Sequence, residues 1–380
     1  MLAGDLYAFQ DLLSDEEAAT VHRVREFLSA EVSPIANEYW ARAEFPSHLI
    51  KQFAGLGLAG VERSSLLDGW LALEMGRADA SMATFYGVHA GLAMGSIQEL
   101  GSPEQKERWL GPMASFDRIG AFALTEPTGG SDVAAGLRTT ARREGDTWVL
   151  NGRKRWIGNA TFADLIVVWA RDEADSQVKG FVVGKDAPGF TATRIEHKIA
   201  LRIVQNADIE LAGVRVPESD RLQLAGSFKD TARVLRATRA GVAWQAVGLM
   251  IAAYEIALRY AGERKQFGRP IAKFQLVQDL LVRMAGNATA SLGMCVRLAQ
   301  LQDAGVYKDE HSALAKAYCT TRMREVVGWA RELLAGNGIV LDYDIGRFVA
   351  DAEALYSYEG TREINSLIVG RAITGHGAFV

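Results

Sequence analysis

The sequence predicts an α+β fold in three consecutive units: a helical N-terminal domain (residues 1–118), a compact middle β domain (119–222) and a C-terminal helical bundle (223–380). Three observations carry this. Apolar residues recur at helical spacing before residue 118 and after residue 227, and short extended runs replace that spacing between them. The dipeptide Asn151-Gly152 stands between two of these runs as a hairpin signal. The stretch around Val247, Ile251, Tyr254 and Leu258 is apolar nearly all round, which suits an interior helix or one at a subunit interface.

The elements follow in order. Ser14-Asp-Glu-Glu17 reads as a capping box, with Val21, Val24 and Leu28 at helical spacing behind it. Pro34 and Pro46 mark a break and a second helix start. Trp70 to Gly76 and Thr84 to Gly101 are mostly apolar with small residues, as in buried helices. Pro103 opens another helix after Ser102. The predicted extended segments are 139–143, 147–150, 154–157, 164–170, 180–183, 190–193 and 207–211. From Ser227 a long helix begins, and three more follow, separated by Arg269-Pro270, Asp303-Ala-Gly305 and Gly336-Asn-Gly338.

With 380 residues, 49% of them hydrophobic and 23% charged, the chain can bury ample core in two or three units. A net charge of −4 gives no electrostatic reason to expect nucleic acid or an acidic membrane as partner. Cys295 and Cys319 lack metal-ligand spacing, and the six histidines are scattered, so no metal site is expected and a reducing compartment fits. No apolar run is read as membrane-spanning. The N-terminus lacks the pattern of a signal peptide and the C-terminus that of a peroxisomal address, so a cytoplasmic location is expected.

The candidate chemistry concentrates near the C-terminus, in Tyr356-Ser-Tyr-Glu-Gly-Thr-Arg-Glu-Ile-Asn-Ser-Leu-Ile-Val-Gly-Arg371. Glu359 is a lone carboxylate among aromatic and apolar neighbours. Gly360 permits a sharp turn, and Thr361 can cap a helix whose apolar face is Ile364, Leu367 and Ile368. Desolvation there would make Glu359 a stronger base, although a helix-start glutamate favoured by the dipole fits the same residues. Phe122-Ala-Leu-Thr-Glu-Pro-Thr-Gly-Gly-Ser-Asp132 is a strand end running into a loop of N–H and hydroxyl donors, suited to a phosphate or a polar ring edge, or to a plain turn. Lys154-Arg-Trp-Ile-Gly-Asn159 puts Trp156 on a strand, where most tryptophans are core. Glu263-Arg-Lys-Gln-Phe-Gly-Arg-Pro-Ile271 has the form of a helix C-cap. The one Gly-x-Gly-x-x-Gly, Gly55-Leu-Gly-Leu-Ala-Gly60, lies in the helical N-terminal stretch and follows no predicted strand, so a Rossmann-type site is not expected.

These four motifs, in their order along the chain, resemble the acyl-CoA dehydrogenase and oxidase superfamily over nearly the whole chain. The resemblance implies the acyl-CoA dehydrogenase fold, FAD as cofactor and an acyl-CoA as substrate. It implies that Glu359 removes the α-proton while a hydride passes from the β-carbon to flavin N5. The backbone N–H of the catalytic Glu and a ribityl hydroxyl would stabilise the thioester oxygen. Flavin contacts carry over to Phe122, Leu124, Thr125, Gly130, Ser131 and Trp156. Gly158 stands where many dehydrogenases carry a threonine aimed at N5. Arg264, with Gln266 and Phe267 beside it, matches residues that reach the flavin of a neighbouring subunit. Gln275, Glu332, Gly336, Thr361 and Glu363 match further FAD contacts, Glu332 standing where a Gln is often found. Ser131, Arg236, Arg239, Gly360 and Arg371 match substrate contacts, and residues 82–96 with Trp244 are expected to line the acyl pocket.

Within the superfamily, Arg155-Trp-Ile-Gly-Asn159, Arg202–Asn206 and Val242–Gln245 resemble the short-chain acyl-CoA oxidases of plant peroxisomes. Glutaryl-CoA dehydrogenases are also similar, but their arginine for a distal carboxylate is Ala83 here, so a short monocarboxylic acyl group is expected. The expected electron acceptor is an electron-transfer flavoprotein. The alternative is an oxidase passing electrons to O₂, which Gly158 favours. A nitroalkane oxidase-like enzyme would use Asp in place of Glu359. A non-catalytic CoA- or flavin-binding protein is the reading from a different class. The apolar helix near Val247 and the family habit imply a homotetramer.

Overall fold

The structure is a computed structural model that describes residues 2–378; Phe379 and Val380, within the C-terminal tripeptide read for an address, lie outside the described residues. The N-terminal unit contains α1 (Asp15–Phe27), α2 (Ser33–Arg42), α3 (Leu49–Gly55), α4 (Ser65–Ala78), α5 (Ala80–Tyr86), α6 (Gly95–Leu100) and α7 (Pro103–Ala114). The capping box at Ser14 forms, the Glu17 N–H donating to Ser14 Oγ at 3.3 Å and the Ser14 N–H to Glu17 Oε2 at 2.9 Å. Pro34 does not break the chain as expected. It sits in the first turn of α2, which continues from α1 through a wide π turn at Leu28–Val32. A second wide turn, Gly87–Met94, joins α5 to α6.

The middle unit begins with β1 (Gly120–Ala123) and a single helical turn, α8 (Val133–Gly136). It continues through β2 (Thr140–Glu144), β3 (Thr147–Ile157), β4 (Leu165–Asp172), β5 (Val178–Gly184), β6 (Phe190–Arg194) and β7 (Ala207–Pro217). The strand order is β1-β4-β2-β3-β7-β6, with β5 on the other flank of β4. Asn151-Gly152 is not a turn. β3 runs through it, and the chain reverses between Glu144 and Thr147, where Gly145 takes a φ of 64°. The register against β7 shifts one step earlier, between Leu150 and Asn151, where the extra residue is Gly213 of β7 at φ 67°; at Gly152 itself a Cβ would lie 2.6 Å from Thr139 Oγ1, so the glycine serves a close contact. Turns and close backbone contacts both select glycine, and the short run alone does not separate them.

The C-terminal unit is built on α9 (Phe228–Glu263), α10 (Gln275–Asp303) and α11 (Asp309–Leu334), followed by α12 (Ile345–Ser357) and α13 (Arg362–Thr374). By length and composition α9 could span a membrane, which the sequence reading did not anticipate, yet 78% of its most apolar window is buried inside the protein. It packs on α4 backbone to backbone: a Cβ on Gly248 would lie 2.1 Å from the Leu73 carbonyl oxygen. A buried polar node ties the three units. Asp79 caps α5 through the Met82 N–H and receives Arg347 Nη1 at 2.5 Å. Asp351 accepts from Trp40 Nε1 at 2.8 Å and from the Leu201 N–H at 2.7 Å. Burial, with Asp79 nearby, pushes the Asp351 carboxyl up to about 7. The node fixes α12, which leads directly into Glu359.

Candidate active site

Residues 358–361 link α12 to α13. Glu359 has φ 54° and Gly360 φ 84°, so two successive residues occupy left-handed backbone, and for the glutamate this is strained. Thr361 caps α13 as expected, its side chain accepting from the Ile364 N–H at 3.3 Å. Glu359 is half-buried. Burial raises its carboxyl pKa; Arg239, a hydrogen bond from Thr238 and Lys316 oppose that rise without cancelling it. Thr238 Oγ1 lies 3.1 Å from Glu359 Oε2. Arg239 makes no direct ion pair with Glu359 among the described residues, and its Nε is buried without a hydrogen-bond partner. Burial lowers the Arg239 pKa, against the pull of Glu359 and Asp309.

The wide turn Gly87–Met94 faces this part of α9. A Cβ on Gly91 would meet Thr238 Cγ2 at 3.7 Å, and one on Gly87 would meet Gln245 Nε2 at 3.7 Å. Gln245 Oε1 in turn accepts from the Tyr358 hydroxyl at 2.9 Å. Thr238, Gln245 and the base loop therefore share one side of α9 with two glycines that leave space between the helices. Residues 87–91 fall in the segment expected to line the pocket. Trp244 does not: it is fully buried against α4, its ring 6.0 Å from that of Trp70 and so close to Gly69 that a Cβ there would lie 2.2 Å away. One residue along a helix is a rotation of about 100°, which turns Trp244 away from the side that Gln245 occupies.

The second wall comes from the β domain. Phe122 and Leu124 are buried at the end of β1, and Thr125 is bonded to β3 through the Arg155 N–H, 2.9 Å from its carbonyl. Glu126 anchors the loop that holds Gly130 and Ser131, both exposed. It accepts from Lys154 Nζ at 2.9 Å, Thr139 Oγ1 at 2.5 Å and the Arg138 N–H at 2.7 Å. Trp156 is no core residue: it is 51% exposed, with φ 64°, at a register shift in β3. A large exposed ring beside a loop that exposes Gly130 and Ser131 fits a flat heterocycle with a polar edge, as a flavin has. Gly158 touches the wide turn, since a Cβ there would lie 3.2 Å from Val88 Cγ2. Both walls thus meet at residues 87–91.

The remaining predicted residues form a separate cluster. Arg264 caps α9, and Gln266 and Phe267 belong to a tight hairpin after it, Phe267 being 92% exposed. Gln275 opens α10 beside them. Glu332 and Gly336 lie at the end of α11, in a stretch that Asn337 Nδ2 ties to the Tyr260 hydroxyl of α9 at 3.0 Å. At 1.5 Å per residue, Arg264 is roughly 40 Å from Thr238 along α9, so a single chain does not bring this cluster to Glu359. Glu363 is exposed and paired with Arg362 at 2.9 Å; Arg371 is exposed in the last turn of α13. Arg236 lies 3.5 Å from Asp309 and over the Tyr307 ring at 4.9 Å.

Sequence reasoning passed over Lys316, whose Nζ donates to the carbonyls of Tyr356 and Gly360, each at 2.7 Å. A signal was present: one cation in the small apolar run Ala313-Leu-Ala-Lys-Ala317 of a buried helix. The Glu126–Lys154 pair was visible only as two motif members, because 28 residues separate them.

Residues 14–117, 121–214 and 228–374 match the N-terminal, middle and C-terminal domains of acyl-CoA dehydrogenase, in that order. The chain is 34% identical over 358 residues to a 3-(aryl)acrylate reductase of Clostridium sporogenes, covering 91% of this chain and 95% of that one. It is 36% identical over 358 residues to the mitochondrial short-chain specific acyl-CoA dehydrogenase of Homo sapiens, covering 91% and 87%. The crystal structure of a glutaryl-CoA dehydrogenase from Mycobacterium smegmatis in complex with FADH2 superposes with a TM-score of 0.97 at 34% identity, covering 100% of both chains. The chain belongs to the acyl-CoA dehydrogenase family, a family of FAD-dependent enzymes.

Proposed function

We propose that this enzyme removes hydrogen across the α,β-bond of a short-chain monocarboxylic acyl-CoA, giving the trans-2-enoyl-CoA, and that an electron-transfer flavoprotein takes the electrons. The carrying observation is the placement of Glu359: a carboxylate with a raised pKa, at a gap between α9 and the wide turn, with Trp156 and Thr125 on the adjoining wall. Bound FAD supplies the hydride acceptor. Glu359 takes the α-proton onto its carboxylate, and the Thr238 hydroxyl holds the Oε2 atom in place. Arg239 supplies positive charge near the developing negative charge of the thioester. Phe122, Leu124, Thr125, Gly130, Ser131, Trp156 and Gly158 would hold the isoalloxazine. Gln245 and Tyr358 support the short acyl chain, because their bonded polar groups lie roughly 10 Å along α9 from Thr238, where a longer apolar chain would run. The oxidase alternative finds no support in the relatives named above.

Adding butyryl-CoA to the holoprotein without oxygen is expected to bleach the long-wavelength flavin band promptly. Bleaching only by longer thioesters would refute the short-chain assignment, and no bleaching by any acyl-CoA would refute the activity.

We further infer a homotetramer, with the cluster at Arg264, Gln266, Phe267, Gln275, Glu332 and Gly336 completing the flavin site of a neighbouring copy. Its distance from Glu359 within one chain and the 92% exposure of Phe267 support this. So does an apolar groove of about 740 Å³ along α9 and α10, where Leu258 and Val282 lie open. A monomeric mass by light scattering would refute it. We place the domain bounds near residues 118 and 222, in keeping with the three family matches, and the enzyme in the cytoplasm.

A further inference from the structure

We propose that Lys316 is a positioning residue for the catalytic base: its ammonium gathers the carbonyls of Tyr356 and Gly360, on either side of Glu359, and so keeps that residue in the left-handed backbone from which its carboxylate meets Thr238 of α9. The inference rests on the reading of Glu359 as the base.

A glutamate does not adopt φ 54° unless its surroundings enforce it. The enforcing contacts are few. Lys316 is fully buried on α11, and its Nζ lies 2.7 Å from the Tyr356 oxygen and 2.7 Å from the Gly360 oxygen. One ammonium therefore draws together the last turn of α12 and the residue after the base. Asn365 adds a second hold, donating from Nδ2 to the Gly360 oxygen at 2.9 Å and to the Thr361 oxygen at 3.0 Å. No other side chain among the described residues donates to the Tyr356 or Gly360 carbonyl. The same cation acts on Glu359 through space and favours its ionised form.

The charged groups facing Lys316 come from three elements: Glu359 in the loop, Arg239 on α9 and Glu363 on α13. Burial, helped by Arg239, pulls the ammonium down to about 8, while Glu359 and Glu363 oppose. At neutral pH the clamp is charged. Above about 8 it keeps N–H donors for both carbonyls and loses its electrostatic effect on the base. Geometric and electrostatic parts are therefore separable by experiment.

The test compares Lys316→Met and Lys316→Gln with the natural holoprotein, reading anaerobic flavin reduction by butyryl-CoA per bound FAD across pH. Lys316→Met is expected to slow reduction about 30-fold at its optimum, through loss of both positioning and charge. The acid limb of the rate profile should move to higher pH by about half a unit or more, because a cation that stabilises ionised Glu359 is gone. Lys316→Gln, which retains an amide donor, should shift the limb as far and slow the rate less. A purely structural role would lower the yield of folded holoprotein and leave rate per FAD and limb in place. Either variant with an unmoved limb and a rate within about twofold of the natural protein overturns the proposal. If neither variant folds, Lys316→Arg keeps the charge and must leave the limb where it is; a shifted limb there overturns it. Glu359→Gln run in parallel separates the two readings. Activity in that variant removes the base itself, whereas an inactive Glu359→Gln beside an unmoved Lys316→Met limb removes only the clamp.

Discussion

Glu359→Gln is expected to retain FAD and to lose at least about a thousandfold in the rate of flavin reduction by acyl-CoA, within the range that a general base contributes. The substitution keeps size and shape, and its amide oxygen can still accept from Thr238, so the φ 54° loop should persist. What disappears is the carboxylate that Thr238 faces. Arg239 and Lys316 then face a neutral group, and the burial that raised the carboxyl pKa no longer opposes folding, so stability should change little. The natural enzyme should show the matching pH signature. Its base must be ionised, so the rate falls as pH drops through the raised pKa, and that limb lies above the ordinary carboxylate range. Stopped-flow reduction at several pH values, with the FAD-to-protein ratio measured on the same samples, checks both points. A variant retaining more than about a tenth of the rate would remove Glu359 from the mechanism.

Lys154→Met is expected to have the largest effect on stability, a loss of about 3–5 kcal/mol by denaturant unfolding of the holoprotein. Lys154 is fully buried, and burial pulls its ammonium down to about 8 although Glu126 opposes this. Burial raises the Glu126 carboxyl, but Lys154, Thr139 and the Arg138 N–H together hold it below its ordinary range. Removing the lysine leaves a carboxylate that is 5% exposed with only neutral donors. Because the natural Glu126 pKa is depressed, its stabilising contribution is present above the unfolded pKa and lost as pH falls through the folded one. The deficit of the variant should therefore shrink in acid, where Glu126 is protonated in both proteins. Adding Glu126→Gln should recover part of the loss by removing the stranded charge. A single variant within about 1 kcal/mol of the natural protein would show that the pair does not anchor the loop holding Thr125, Gly130 and Ser131.

Local chemistry was legible in the sequence wherever one short stretch decides the outcome. Ser14, Pro103 and Thr361 take the capping roles that their neighbours imply, and the long helices end near the predicted breaks. Asn151-Gly152 was misleading because the alternative reversal, at Gly145-Asp146, is an equally good local signal, and only pairing with β2 and β7 shows that the strand runs through Asn151-Gly152. Trp244 was misplaced for a similar reason. Its neighbour Gln245 faces Gly87 and the Tyr358 hydroxyl instead, and the choice between two adjacent helical positions depends on where α4 lies. Lys316 and the Glu126–Lys154 pair are contacts across 44 and 28 residues, and no periodicity records them. On the β-domain wall the residues of two motifs lie together, Thr125 bonded to Arg155 beside Trp156, whereas the C-terminal motifs divide between the two ends of α9.

That division makes α9 a ruler. Its 36 residues run unbroken from the Thr238 side to the hairpin at Arg264. Every inserted or deleted residue between them would rotate one end against the other by about 100° and displace it by about 1.5 Å. Substitutions on the outer face leave this relation intact, whereas a change of length cannot be absorbed locally, because Gly248 already meets the backbone of α4 without space to slide. In descendants of this chain, insertions and deletions should therefore collect in the loops of the β domain and at the helix junctions, and α9 should diverge in composition while its residue count stays fixed.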